Sequence, residues 1–396
     1  MSRAALLAFL ETETKNLRQA GLVRPEIELS TPPGPVLKIG DRERLSFVSS
    51  DYLGLANHPE VKKAAAAAVE TWGAGLASPR AVLGTVTLHR ELEKALASHL
   101  GTEDALVFPS GHHANTGVLE SLIGERDYVF CDEMIRPSLA DGIRLSRARA
   151  YSYRNGDLEH LEDRLKRSRA ARFRIIATDG VSPVTGRIAP LAEIYALAAK
   201  YRATVLVDDS EGLGVLADGG RGSHAFAGLR EGLDLVTGSF GHALGGGGGG
   251  FVAGPSTILT WLRQKSRPHL TATALAPAAA AAALKAIDLC QRAPQARQAL
   301  DANLQTVKEA MTRDAGVIPS VSHPAVSVLI RNAVQAQKLA DLLYRQGIFL
   351  LGYCHPVVPE GQARICLRVT AQHRKEDLER TVKAIGEGMA ELKVQL

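Results

Sequence analysis

A histidine, His242, sits where an apolar, strand-like run turns back on itself, in residues 235–254, LVTGSFGHALGGGGGGFVAG. An imidazole can take or give a proton near neutral pH without any shift of its pKa. The six glycines Gly245–Gly250 are not followed by Gly-Lys-Ser/Thr, so they form no Walker-type phosphate loop. They suit a backbone that packs tightly beside a pocket, or a loop left loose. A second cluster, DDSE at 208–211, closes another apolar run with carboxylates, Asp208 and Glu211 among them. A third, PSGHHANTG at 109–117, places His112 and His113 side by side. Adjacent side chains in a strand-to-helix turn point apart, and no acid or cysteine cluster joins them, so no metal is expected.

The elements that must position these residues alternate. Helical periodicity covers 58–73 and 87–101, the second with Gly101 as a C-cap. Apolar runs bounded by turn residues follow at 105–108, 128–131, 174–180, 204–210, 234–240 and 250–254, with helix-length segments such as 190–201 between them. Fully apolar strands alternating with helices predict an α/β fold with a mostly parallel sheet. After an Ala-rich helix near 276–290 the pattern changes. A helix over 291–314, strands at 325–331, 348–353 and 363–369, a helix at 334–346 and a last helix from 374 predict a small α+β domain. The expected division is an N-terminal helix and arm (1–45), a large domain (46–290) and a small domain (291–396). His89 and His99 fall on the 87–101 helix and are expected to be solvated.

Bulk properties narrow the classes. The chain has 396 residues, 45% hydrophobic and 22% charged, with a formal net charge of +5, ordinary for a globular protein. The longest apolar stretch is too short to span a bilayer. The N-terminal apolar run is broken by Glu11 and Glu13, which favours an amphipathic helix over a signal peptide. Cys131, Cys290, Cys354 and Cys366 show no paired spacing, which points to reduced thiols and a cytoplasmic protein. Charges of both signs alternate through 158–174, a solvated face rather than a nucleic-acid patch.

SDYLGLANHPEV, ELEKALASHLGTEDALVFPSGHHANTG, VDDSEGLGVLADGGRGSHAF, TGSFGHALGG, WLRQKSRPHL and GQARI together resemble the α-oxoamine synthase family, from about residue 45 to the C-terminus. The resemblance implies a fold-type I pyridoxal phosphate (PLP) transferase with a seven-stranded sheet. It also implies a homodimer that joins an acyl-CoA to an amino acid, using PLP as electron sink. Within that frame Asp208 is the partner of the pyridinium nitrogen. The backbone around Ser110, Gly111, His112 and Asn115 cradles phosphate, and Arg80 and Arg364 belong to the substrate side, Arg364 gripping a carboxylate.

Four positions depart from the family pattern. His242 stands where the pattern has the lysine that joins the cofactor, and an imidazole makes no stable aldimine. Glu211 replaces a histidine that donates to the cofactor's ring oxygen, Arg136 replaces one that stacks on its ring, and Ala272 falls where a phosphate-binding hydroxyl is expected, flanked by Thr271 and Thr273. Arg136 is expected to enter the ring's place and pair with Asp208 and Glu211, since a buried carboxylate needs a partner. The resulting expectation is an acyltransferase with no covalently bound cofactor, leaving room for PLP held without a bond. It would move an acyl group from a CoA thioester to an amine or hydroxyl of a carboxylate-bearing acceptor, with His242 as general base and Glu211 orienting it. Two alternatives stand beside it: a catalytically inactive homologue acting as a scaffold, and a PLP-dependent synthase.

Overall fold

The computed structural model describes residues 2–19, 26–168, 170–229, 231–245, 247–292, 294–317, 322–355 and 357–394. In chain order its strands are β1 Val36–Ile39, β2 Arg42–Ser46, β3 Asp104–Phe108, β4 Tyr128–Asp132, β5 Arg149–Tyr153, β6 Arg174–Asp179, β7 Thr204–Asp208, β8 Leu235–Ser239, β9 Gly250–Gly254, β10 Ala325–Arg331, β11 Ile348–Phe349, β12 Leu351–Tyr353 and β13 Ala363–Arg368. The seven-stranded sheet has the order β3-β9-β8-β7-β6-β4-β5. Strands β4 to β8 pair in parallel, and β9 runs antiparallel to both neighbours. This is the α/β, fold-type I sheet expected from the apolar runs.

Apart from the edge strand β5 the sheet is buried on both faces, which is why its inner strands are mainly apolar rather than alternating. Ala105 and Val107 face a core shared with helices Pro59–Trp72, Thr87–Leu100 and Pro277–Arg292. Leu106 and Phe108 face the opposite core, covered by helices Gly111–Leu122, Pro137–Ser146 and Ser256–Lys265. Gly101 closes the Thr87–Leu100 helix in the left-handed region, its amide donating to the Ala97 carbonyl.

That helix corrects one expectation. His89 and His99 are buried, His89 Nε2 lying 2.8 Å from the Leu275 carbonyl and His99 Nε2 3.2 Å from that of Gly220. Both carry a polar load inside the core, so neither is solvated, and burial holds both pKa values down.

The C-terminal region builds two three-stranded sheets, β10-β13-β12 and β1-β2-β11. The apolar run expected as one strand over 348–353 is therefore two strands in different sheets, β11 pairing with β2 and β12 with β13. Leu45 and Phe47, at the edge of the expected N-terminal arm, pack into the same core as Val326, Ile365, Leu378 and Ile385. Helix Arg3–Gln19 buries none of its residues.

Candidate functional site

The parallel strands end on one side, where an α/β sheet of this kind presents its ligand site. Strand β7 ends in Asp208 (1% exposed), β6 in Asp179 and β8 in Ser239, from which the chain turns to His242. Helix Gly111–Leu122 begins beside them. Ser110 is its N-cap, its hydroxyl accepting from the His113 amide at 3.2 Å. The glycine run lets the two parts approach: a Cβ at Gly250 would lie 2.3 Å from the Gly111 nitrogen, and Gly249 has φ +92°. Gly246 lies outside the described residues. His112 points outward, more than half exposed, 3.8 Å from Asp141.

Asp208 is held from three sides. One oxygen accepts from the Ser210 amide at 2.9 Å and from Arg136 Nη1 at 3.0 Å; the other accepts from Asn115 Nδ2 at 2.6 Å. Asn115 is fixed in turn by Thr237, whose hydroxyl donates to it at 2.6 Å.

Arg136 caps helix Pro137–Ser146 and reaches inward. Its Nε and backbone amide both donate to Asp179. Expected to pair with Asp208 and Glu211, it pairs instead with Asp208 and Asp179. The two carboxylates share one guanidinium. Burial together with the Asp208 charge pushes Asp179 up, whereas Asp208 and Asp179 together outweigh burial and keep Arg136 charged. Arg136 Nη2 is buried with no partner among the described residues.

Glu211 has a different cation. Its Oε2 accepts from Tyr52 Oη at 2.6 Å and from Arg368 Nη1 at 2.9 Å, and Arg368 Nη1 also donates to Tyr52 Oη. Burial alone would raise the Glu211 carboxyl. Arg368, with His242, Arg136 and the Tyr52 hydroxyl, brings it down to about 2. Glu211 Oε1 faces His242 Nδ1 at 3.6 Å. The same Nδ1 lies 3.0 Å from the Ser210 carbonyl oxygen. A carbonyl can only accept, so Nδ1 carries a proton, and in the neutral ring the lone pair sits on Nε2. His323 donates from Nε2 to the Glu211 carbonyl at 3.0 Å, and burial lowers its pKa to about 4.

Two expected substrate residues lie apart from this cluster. Arg80 is spent inside the large domain, paired with Glu93 at 2.9 Å and bonded to Thr85 and the Val107 carbonyl. The ion pair accounts for its burial, so it is not available to a ligand. Arg364 is 6% exposed on β13 and donates only to Gln362, through Nε at 3.1 Å and Nη2 at 3.2 Å. Among the described residues no carboxylate pairs with it. Of the TAT segment, Thr271 turns its hydroxyl back to the Arg267 carbonyl, and Thr273 bridges Pro79.

Sequence reasoning missed Asp179, Thr237, Tyr52 and Arg368. Asp179 carries the same signal as Asp208, an acid closing a buried parallel strand. Arg364 and Arg368 recur at even spacing in β13, a charged face on an otherwise apolar strand. Tyr52 had no local signal. No group of three potential metal ligands and no helix long and apolar enough to cross a membrane occurs among the described residues.

The aminotransferase class I and II family profile matches residues 42–385. The chain is 39% identical to the 2-amino-3-ketobutyrate coenzyme A ligase of Escherichia coli K12 over 378 residues, 95% of each protein. It is 40% identical to the 8-amino-7-oxononanoate synthase of Symbiobacterium thermophilum, over 98% of this chain and 99% of that protein. Among solved structures it overlays on a lysine-to-alanine variant of serine palmitoyltransferase from S. paucimobilis with a bound PLP–myriocin aldimine. That match has a TM-score of 0.92 and 26% identity, covering 99% of this chain and 100% of that one. A serine palmitoyltransferase with its PLP internal aldimine gives the same TM-score. These neighbours overturn the expectation of a site with no covalently bound cofactor. PLP is the group the matching structures hold, one of them in a protein whose lysine has been replaced.

Proposed function

The chain belongs to the aminotransferase class I and II family and, within it, to the α-oxoamine synthases. From that premise we propose that it joins an acyl group from a coenzyme A thioester to a carboxylate-bearing amino acceptor, with PLP at Asp208 and His242 as base. The phosphate end of the site suits that cofactor, whereas at the ring end Arg136 already pairs with Asp208 and would have to share it. Asp208 closes β7, and its partner Asn115 lies on helix Gly111–Leu122, whose Gly111 and His112 amides have no intrahelical acceptor and favour a phosphate. The orphaned Arg136 Nη2 is a buried donor awaiting an anionic oxygen. When bound, PLP supplies an electron sink for a carbanion on the acceptor.

The chain's own residues supply the rest. Arg364, buried without an acidic partner among the described residues, binds the acceptor's carboxylate. His242 Nε2 takes a proton from the acceptor, and Glu211 stabilises the imidazolium that results. The observation that carries this reading is the His242 Nδ1 bond to the Ser210 carbonyl, which in the neutral ring makes Nε2 the proton acceptor. We expect a cytoplasmic homodimer.

The test is thiol release from a panel of acyl-CoAs and amino acids in the presence of PLP. His242→Ala should lower the maximal rate by about 10²–10⁴-fold, the usual cost of losing a general base, with acyl-CoA binding unchanged. A variant as fast as the wild type overturns the role of His242. Failure of the wild type to release thiol from any acyl-CoA overturns the transferase reading in favour of a scaffold.

A further inference from the structure

We propose that Arg368 and Tyr52 are positioning residues for His242: by clamping one oxygen of Glu211 they hold its carboxylate away from full contact with the imidazole, so that Nε2 stays unprotonated and open. This deepens the base assignment above and rests on it.

Glu211 is 2% exposed and close to an imidazole. Left alone, a buried carboxylate next to a histidine draws a proton onto the ring and holds the ring as its counter-ion. Such a histidine is a poor base, because its proton is already bound. Here the closest contacts to the charge come from elsewhere. Arg368 Nη1 and Tyr52 Oη both bind Oε2, at 2.9 and 2.6 Å, while His242 Nδ1 stands 3.6 Å from Oε1, beyond a good hydrogen bond. Its Nδ1 proton goes to the Ser210 carbonyl instead.

The other charged and titratable groups around the turn fit the same division, Tyr353 on β12 bonding to Arg368 rather than to His242. Arg136 is committed to Asp179 and Asp208. His323 donates to the Glu211 carbonyl and lies edge-on to Tyr52, with ring centroids 5.2 Å apart. Asp51 accepts from the amides of Leu55 and Ala56, the segment against which Gly245 of the His242 turn packs. That leaves Arg368 as the one guanidinium bonded to Glu211 among the described residues.

The clamp crosses from the small domain to the large one. Arg368 lies on β13, and its Nη2 donates to the Pro183 carbonyl at 3.1 Å. Two neighbours on the same sheet reach the same segment: Cys366 Sγ to the Val184 carbonyl at 3.3 Å and Ser327 Oγ to that of Thr185 at 3.2 Å. The seating of the small domain on 183–185 therefore sets the charge balance at the base.

The test follows the His242 ring directly by ¹⁵N NMR on protein labelled at histidine, with His242→Gln to assign the signal. No turnover is needed, so failure of this measurement is distinguishable from failure of the thiol-release assay. The wild type should show the Nδ1-protonated tautomer. In Arg368→Met the His242 titration should move up by about one pH unit, as for a histidine gaining an uncompensated carboxylate. Arg368→Lys should restore it most of the way, and Tyr52→Phe should shift it up by less. If Arg368→Met does not fold, the Tyr52→Phe and Arg368→Lys pair decides. An Nε2-protonated tautomer in the wild type, or a His242 titration that moves in none of the folded variants, overturns the proposal.

Discussion

Replacing Glu211 by Gln keeps the size of the side chain and removes its charge from between Tyr52, Arg368 and His242. The carboxyl falls from an ordinary 4.5 to about 2 in the folded protein. That depression of two to three pH units corresponds to about 3 kcal/mol of stability at pH 7, at 1.36 kcal/mol per unit. Removing one partner of a buried pair also leaves Arg368 uncompensated, which gives a similar figure of about 3–5 kcal/mol by a separate route. The two describe one interaction and do not add. A depressed carboxylate stabilises above its unfolded pKa and loses that contribution as pH falls through 4.5 towards 2. Urea unfolding followed by circular dichroism should therefore show Glu211→Gln less stable by about 3 kcal/mol at pH 7, with less than half that gap at about pH 3. A gap under about 1 kcal/mol at pH 7 would mean that the carboxylate is not held as the geometry indicates. A gap independent of pH would assign the loss to packing.

Two further outcomes follow from other parts of the chain. Asp209 is buried, with Oδ1 unpartnered among the described residues and a Cβ added at Gly222 falling 2.0 Å from Oδ2; burial pushes its pKa up to about 7. A raised acid makes stability fall as pH rises from 3.8 towards 7, so Asp209→Asn should flatten that slope in pH-dependent unfolding; an unchanged slope refutes it. Helix Arg3–Gln19 exposes Leu6, Leu7, Phe9 and Leu10 with nothing buried, which fits a helix that packs on a second copy. Sedimentation should give a dimer at micromolar concentration, weakened by deleting residues 1–19, and a monomeric wild type would remove the basis for this.

What the sequence made legible follows the range of the interactions. Strands β3, β4, β6, β7, β8 and β9 announce themselves because each is apolar throughout and bounded by turn residues. Strand β5 does not, since RAYSY lies at the sheet edge and is largely exposed. The 348–353 run looks like one strand because periodicity cannot see that β11 and β12 join different sheets. His89 and His99 were misplaced for a related reason. The helix carrying them buries Leu88, His89, Leu92, Glu93, Leu96, Ala97, His99 and Leu100, a face wider than one apolar stripe.

The site shows the same limit in its chemistry. Sequence reasoning asked correctly for a cation to meet a buried Glu211, and it offered Arg136, the nearest arginine in the motif register. The fold supplies Arg368 instead, 157 residues from Glu211 along the chain, because β13 brings its charged face onto the turn after β7. Arg136 is then left to Asp179, an acid that ends its strand as Asp208 ends the next. Each carboxylate demanded a partner, and only tertiary pairing decided which one it received. The consequence for chemistry is specific. Had Arg136 answered Glu211, Asp208 would have lost its guanidinium; with Arg368 in that role, Glu211 has a cation of its own while Asp208 and Asp179 share Arg136, and His242 is left bonded to the Ser210 carbonyl.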